Sequence, residues 1–98
     1  MIYHIVSEDY WKGFEGQPAY FSETFDAETF IHCSLEEQIA GVLERYYVGV
    51  TGLVLLHIDE SKLTSTLLYE PAPHNGELFP HIYGGINREA VVEVTSLS

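Results

Sequence analysis

The chain predicts an α+β fold: small sheets of mixed strand direction with two short helices packed beside them. Three observations lead there. Strand-like segments crowd the second half of the chain, while the helical signals lie in the first half. Residues 53–59 are apolar almost throughout, as a central strand covered on both faces would be. No Gly-x-Gly-x-x-Gly or Gly-x-x-x-x-Gly-Lys pattern occurs, which argues against a doubly wound dinucleotide fold. Ninety-eight residues are read as a single domain, 1–98, long enough for one core without staples.

The elements follow in order. Residues 2–6 read as a buried first strand, apolar on both sides of His4. Ser7 is placed to cap a short helix whose first turn holds Glu8 and Asp9, where the helix dipole favours acids. Gly13 and Gly16 end it. Residues 18–22 read as extended, and residues 22–28 as a turn or one helical turn. Residues 29–33 form the next strand. Its period of two puts Phe30 and His32, with Ser34 beyond them, on one face, and Ile31 and Cys33 on the other. Ser34-Leu35-Glu36-Glu37 reads as a capping box. The helix it opens carries Leu35, Ile39, Val42, Leu43 and Tyr46 at helical spacing. Gly49 and Gly52 close that segment. After the central strand, Asp59 caps a turn over residues 60–63. Residues 66–70 form a short strand, and residues 71–77 a loop turning at Asn75-Gly76. Strands at 79–83 and 90–95 complete the chain.

Charge narrows the function. Fifteen acidic residues face four basic ones (Lys12, Arg45, Lys62, Arg88), a formal charge of −11. Such a field opposes nucleic acid and anionic membrane, which bind through lysine and arginine. A small ligand with one or two phosphates remains compatible. One cysteine, Cys33, permits no internal disulfide. The first residues lack a basic leader, and no apolar run reaches the roughly 20 residues of a membrane span. The expectation is a cytoplasmic protein with a small-molecule ligand.

Five histidines are many for this length. His4, His32, His57 and His81 are flanked by apolar residues, while His74 lies in the loop. Two readings compete: satisfied core histidines, or a cluster around a shared polar cleft. A metal site is a third reading. No His-x-x-x-His, Cys-x-x-Cys or His-Glu-x-x-His spacing supports it, so ligands such as His32, His81 and Glu70 would have to meet from separate strands. Ser34 is open to two roles, helix cap or, with His32, part of an anion site. A Ser-His-Asp set from Ser34, His32 or His81, and Asp59 lacks the Gly-x-Ser-x-Gly elbow. Cys33 reads as a buried small hydrophobe. Glu70 ends a strand, where it is either solvated or part of a pocket.

The blocks Ile2-Tyr3-His4-Ile5, Phe30-Ile31-His32-Cys33-Ser34, Arg45-Tyr46-Tyr47, Tyr69-Glu70 and Leu78-Phe79-Pro80-His81-Ile82-Tyr83-Gly84, with Trp11 and Gln38, resemble the domain of unknown function 952 family over nearly the whole chain. That family has no established activity. It is grouped by fold with ADP-ribosyltransferase-like proteins, which bind NAD in a cleft between two small sheets. The resemblance implies an ADP-ribosyltransferase-like architecture and NAD or an ADP-ribosyl compound as ligand, with transfer or hydrolysis at the ribose–nicotinamide bond. It implies His4 as the first-strand ribose ligand, Ser34 with His32 as the middle-strand pair, and Glu70 as the glutamate. His81 and Tyr83 have no fixed counterpart. His81 joins the catalytic candidates His4, His32, Ser34 and Glu70 as a proton-handling group, and Tyr83 joins His4 and Ser34 as ligand-binding candidates. The alternatives are a non-catalytic nucleotide- or small-molecule-binding module and the histidine metal site. The chain departs from the family pattern at Gly85, where proline is common, at His57, where an acid is common, and at Thr29, where glycine is common.

Overall fold

In the computed structural model, residues 1–97 are described. The order is β1 (Ile2–Ser7), α1 (Glu8–Lys12), β2 (Ala19–Tyr20), α2 (Phe25–Glu28), β3 (Ile31–His32), α3 (Ile39–Tyr46), β4 (Leu53–Ile58), β5 (Thr66–Pro71), β6 (Leu78–Tyr83), β7 (Ile86–Asn87) and β8 (Val91–Ser96). Single 3-10 turns precede α3, β5 and β8. Three sheets result, ordered β1-β4-β8, β3-β6-β5 and β2-β7. The α+β class stands. The expected mixture of strand directions does not, because all five strand pairings are antiparallel. No helix here acts as a crossover between two parallel neighbours, which a parallel pair would need.

β4 is the central strand its apolar run predicts. Alternation sends Val54, Leu56 and Ile58 into one buried cluster with Ile2, Tyr20, Ile31, Cys33 and Ile82. Leu53 and Leu55 enter a second cluster with Ile5, Val42 and Phe79. Each fully buried aliphatic side chain contributes about 1.5–3 kcal/mol relative to exposure, so this doubly covered strand anchors the fold. Cys33 lies inside the first cluster, and burial pushes its thiol pKa up. It is a packing residue.

The local signals near the chain start hold. Ser7 Oγ accepts from Tyr10 N at 3.1 Å and caps α1. Asp59 Oδ1 accepts from Ser61 N at 3.0 Å and Ser61 Oγ at 2.7 Å, closing the turn after β4. The capping box is displaced by one residue. Leu35 takes the N-cap position, and its N–H donates to Gln38 Oε1 at 2.9 Å. Ser34 cannot cap because its backbone bridges to β1: Tyr3 N donates to Ser34 O at 2.8 Å, and Ser34 N donates to Tyr3 O at 2.7 Å. That bridge ties the β1 sheet to the β3 sheet.

The three departures from the family pattern gain a physical meaning. Thr29 closes α2 at φ 66°, the left-handed region. That conformation costs an L-residue roughly 1–2 kcal/mol, and a β-branched residue suffers most. Glycine avoids the clash but gives back roughly 0.5–1 kcal/mol of chain entropy. Thr29→Gly is therefore expected to raise the unfolding free energy by about 0.5–1 kcal/mol, read from the midpoint of a urea transition at unchanged m-value. Gly85 packs against Phe21, and a Cβ there would lie 2.7 Å from Phe21 Cζ. His57 serves the β1-β4-β8 sheet: its Nε2 meets Thr95 Oγ1 at 2.9 Å and its ring stands edge-on to Tyr3.

Candidate functional site

The register of the β3-β6-β5 sheet gathers the polar side chains. His32 pairs directly with His81, and His81 with Leu68. Directly paired residues share a face, so Phe30, His32, Phe79, His81, Tyr83, Leu68 and Glu70 stand on one side of this sheet. Ile31, Cys33 and Ile82 face the core on the other side. The alternation expected over residues 30–34 is the alternation observed.

On the polar face a chain of hydrogen bonds runs inward from the surface. The Tyr83 hydroxyl donates to Glu70 Oε1. His81 Nδ1 lies 2.7 Å from the same oxygen. His81 Nε2 lies 3.2 Å from His32 Nδ1. The bonds to Tyr83 and His81 hold the Glu70 carboxyl below its usual pKa, so it is an ionised acceptor at neutral pH. The same bond raises the Tyr83 phenol. An ionised acceptor requires His81 Nδ1 to be the donor. With one proton on the His81 ring, its Nε2 accepts and His32 donates from Nδ1. His32 Nε2 is left as a lone pair, the tautomer being assigned by its partners. Burial, and next the proximity of His81, lower the His32 pKa, which keeps that ring neutral. Phe30 stacks on His81 with centroids 4.0 Å apart and fixes the ring plane.

His4 is buried one strand away, on β1. Its Nδ1 lies 2.8 Å from the His32 carbonyl oxygen, and its Nε2 lies 2.8 Å from the Tyr20 hydroxyl. Nδ1–H donates and Nε2 accepts. Burial lowers the His4 pKa to about 4. Both nitrogens are occupied, so a ligand reaching His4 Nε2 would have to displace the Tyr20 hydroxyl.

These groups meet at a cavity of about 590 Å³ between the β1 and β3 sheets. His4, His32, Ser34 and His81 all line it. Glu70 and Tyr83 stand behind His81, outside the lining. Ser34 Oγ, released from capping, makes no hydrogen bond among the described residues, including none with His32. Among the described residues, no group of three or more His, Cys, Asp and Glu side chains is arranged to hold a metal ion.

The sequence reading assigned no role to several lining residues: Ser22 and Glu28 beside α2, Arg45 and Tyr46 at the end of α3, and His74 in the loop before β6. The signal for Arg45 was its place three residues after the inward-facing Val42, which puts it on the same helix side. Ser22 carried no signal. Its hydroxyl is buried without a hydrogen-bond partner among the described residues.

A family profile described as "Protein of unknown function (DUF952)" matches residues 5–94. No curated protein matches the chain. Among solved structures, the crystal structure of protein CC0527 from Caulobacter crescentus is similar at 30% identity and a TM-score of 0.88. The match covers 99% of this chain and 85% of that one. The solution structure of CC0527 is similar at 28% identity and a TM-score of 0.83, covering 99% and 84%. With its profile spanning nearly the whole chain, the protein belongs to the DUF952 family of unknown function.

Proposed function

We propose that the cavity between the two sheets binds a small molecule and that His32 exchanges a proton with it. One observation carries the reading: the Glu70–His81–His32 relay ends in an uncommitted His32 Nε2 on a residue that lines the cavity. An ionised carboxylate behind two imidazoles raises the basicity of the outermost nitrogen and steadies the imidazolium when it forms. The cavity volume falls within the usual range for small-molecule sites, about 300–1,000 Å³. His32 and His81 are the catalytic residues of this reading. Glu70 and Tyr83 position them, Ser34 binds the ligand, and His4 holds the His32 backbone from beneath.

NAD or a related ADP-ribosyl compound is the ligand class implied by the fold-level resemblance. At that substrate His32 would take the proton of an attacking water or hydroxyl. The new C1′–O bond would form as the C1′–N bond breaks, and its electron pair would leave with nicotinamide. The site's own groups supply that proton acceptor, whereas the substrate class rests on analogy of fold.

The test is thermal denaturation with NAD, ADP-ribose and nicotinamide, followed by an assay for released nicotinamide. A ligand at 100 times its Kd adds about 2.7 kcal/mol, so the expected result is a clear rise in melting temperature that His32→Ala removes. No rise at millimolar concentration would remove the ADP-ribosyl class. Binding without nicotinamide release would make the domain a binding module. The relay has its own readout. Glu70→Gln takes away the anion behind His81, so the His32 imidazole, followed by NMR, is expected to titrate at lower pH than in the wild type. An unchanged titration would break the relay.

A further inference from the structure

We infer that Arg45, with His74 beside it, is an oxyanion subsite at the rim of this cavity, and that the ligand therefore carries a phosphate or carboxylate group. The inference rests on the reading of the cavity as a ligand site and adds the charge class of its occupant.

The four basic side chains of this acidic chain are distributed unevenly. Lys12 pairs with Glu8 at 3.9 Å. Lys62 lies in the turn that Asp59 closes and helps hold that carboxylate ionised. Arg88 lies 4.9 Å over the Trp11 ring and donates to Phe14 O at 2.9 Å. Arg45 alone of the four lines the cavity, and it has no carboxylate partner among the described residues. Its Nη1 donates to His74 Nε2 over 3.4 Å, a long bond between two exposed groups. Its guanidinium carbon lies 5.8 Å from the centre of the Tyr46 ring, which limits its sweep. A guanidinium held at a cavity mouth, with one weak partner, has most of its five donors free. A planar oxyanion accepts two of them side by side.

A second feature lies in the cavity wall. Ser22 Oγ is buried, with the residue 9% exposed, and it has no hydrogen-bond partner among the described residues. A buried hydroxyl without a partner is costly, and a turn of the Ser22 side chain would present it to a polar ligand in the cavity. Glu28, the one carboxylate in the lining, accepts from Thr24 Oγ1 at 2.6 Å, and its charge acts on His32 rather than pairing with Arg45. The arrangement suits a molecule with an anionic end at Arg45 and hydrogen-bonding groups directed inward to Ser34 and His32.

The experiment is an NMR titration of the whole chain with inorganic phosphate and, separately, acetate, chloride keeping ionic strength constant. Saturable shifts of the Arg45 and His74 side-chain signals are expected with at least one anion. Arg45→Gln should weaken that binding at least tenfold, whereas Lys62→Gln should not change it. Arg45 is exposed, so the melting temperature of Arg45→Gln without anion should match the wild type. Response to phosphate alone identifies a phosphorylated ligand, and response to acetate as well admits a carboxylate. Arg45 signals that stay fixed with both anions, or an Arg45→Gln protein that titrates like the wild type, overturn the subsite. A His32→Gln protein separates the two claims. If phosphate still binds through Arg45 while no ligand depends on His32, the proton-exchange reading fails and the anion subsite stands.

Discussion

Replacing Tyr20 with alanine is expected to destabilise the domain by about 3–5 kcal/mol, a large share of the roughly 5–15 kcal/mol typical of a small protein. Tyr20 belongs to a strand of only two residues, so its backbone pairing with β7 adds little. Its side chain is fully buried, and its ring sits among Tyr10, Trp11, Phe14 and His4 with centroids 5.0–6.0 Å away. Removing it opens a cavity bounded by aromatic rings too large to fold inward. The hydroxyl has a separate task, since it satisfies His4 Nε2 from within the core. Tyr20→Phe keeps the ring and strands that nitrogen, at an expected cost of about 1–3 kcal/mol. Urea denaturation of the three proteins reads both quantities, and Trp11 fluorescence reports the packing. A Tyr20→Phe protein as stable as the wild type would show that the hydroxyl–imidazole bond contributes nothing.

The contrast between Tyr20 and His32 shows which parts of this molecule were legible from sequence. Alternation over residues 30–34 is a local property, so the split between Ile31 and Cys33 in the core and His32 facing the cavity could be read directly. The unbroken apolar run of β4 likewise announced a strand covered on both sides. Strand direction leaves no local trace, and the sheets are antiparallel where a mixture was expected. The Ser34 assignment failed for a similar reason. Its local pattern was that of a cap, but a bridge to Tyr3, 31 positions earlier, had already claimed its backbone. The link from Glu70 to His81 and His32 depends on a register joining three strands. Arg45 reaches His74 across 29 positions. Local chemistry named the histidines, and long-range register engaged both nitrogens of His4 and His81 and left one on His32.

Acidification from pH 7 to pH 4 is expected to remove about 3 kcal/mol of stability through His4 alone. The imidazole is buried, donating to the His32 carbonyl and accepting from the Tyr20 hydroxyl. A second ring proton would place a charge inside the core and turn the Tyr20 hydroxyl from donor to acceptor, so burial takes the folded pKa down to about 4. The unfolded chain titrates near the ordinary value of about 6.5. Above that pH both states are neutral at this site and the full stability is present. As pH falls from 6.5 towards 4, the unfolded state takes up the proton and the folded state does not. Stability therefore declines through that window and levels once the folded imidazole also protonates. Glu70 and Asp59, whose carboxyls are held low by hydrogen bonds, add their loss in a more acidic window, below the ordinary carboxylate pKa. His32, lowered by burial and by His81, contributes within the same window as His4, so the wild-type slope contains both. Urea transitions at half-unit pH steps, compared with those of His4→Gln, separate the two. Glutamine offers a donor and an acceptor but no titration, so the slope between pH 6.5 and 4 should shrink to the share of His32. An undiminished slope in His4→Gln would mean that His4 is not the buried neutral group holding the His32 strand against β1. The backbone support beneath the proposed proton-exchange site would then have to come from the Tyr3–Ser34 bridge alone.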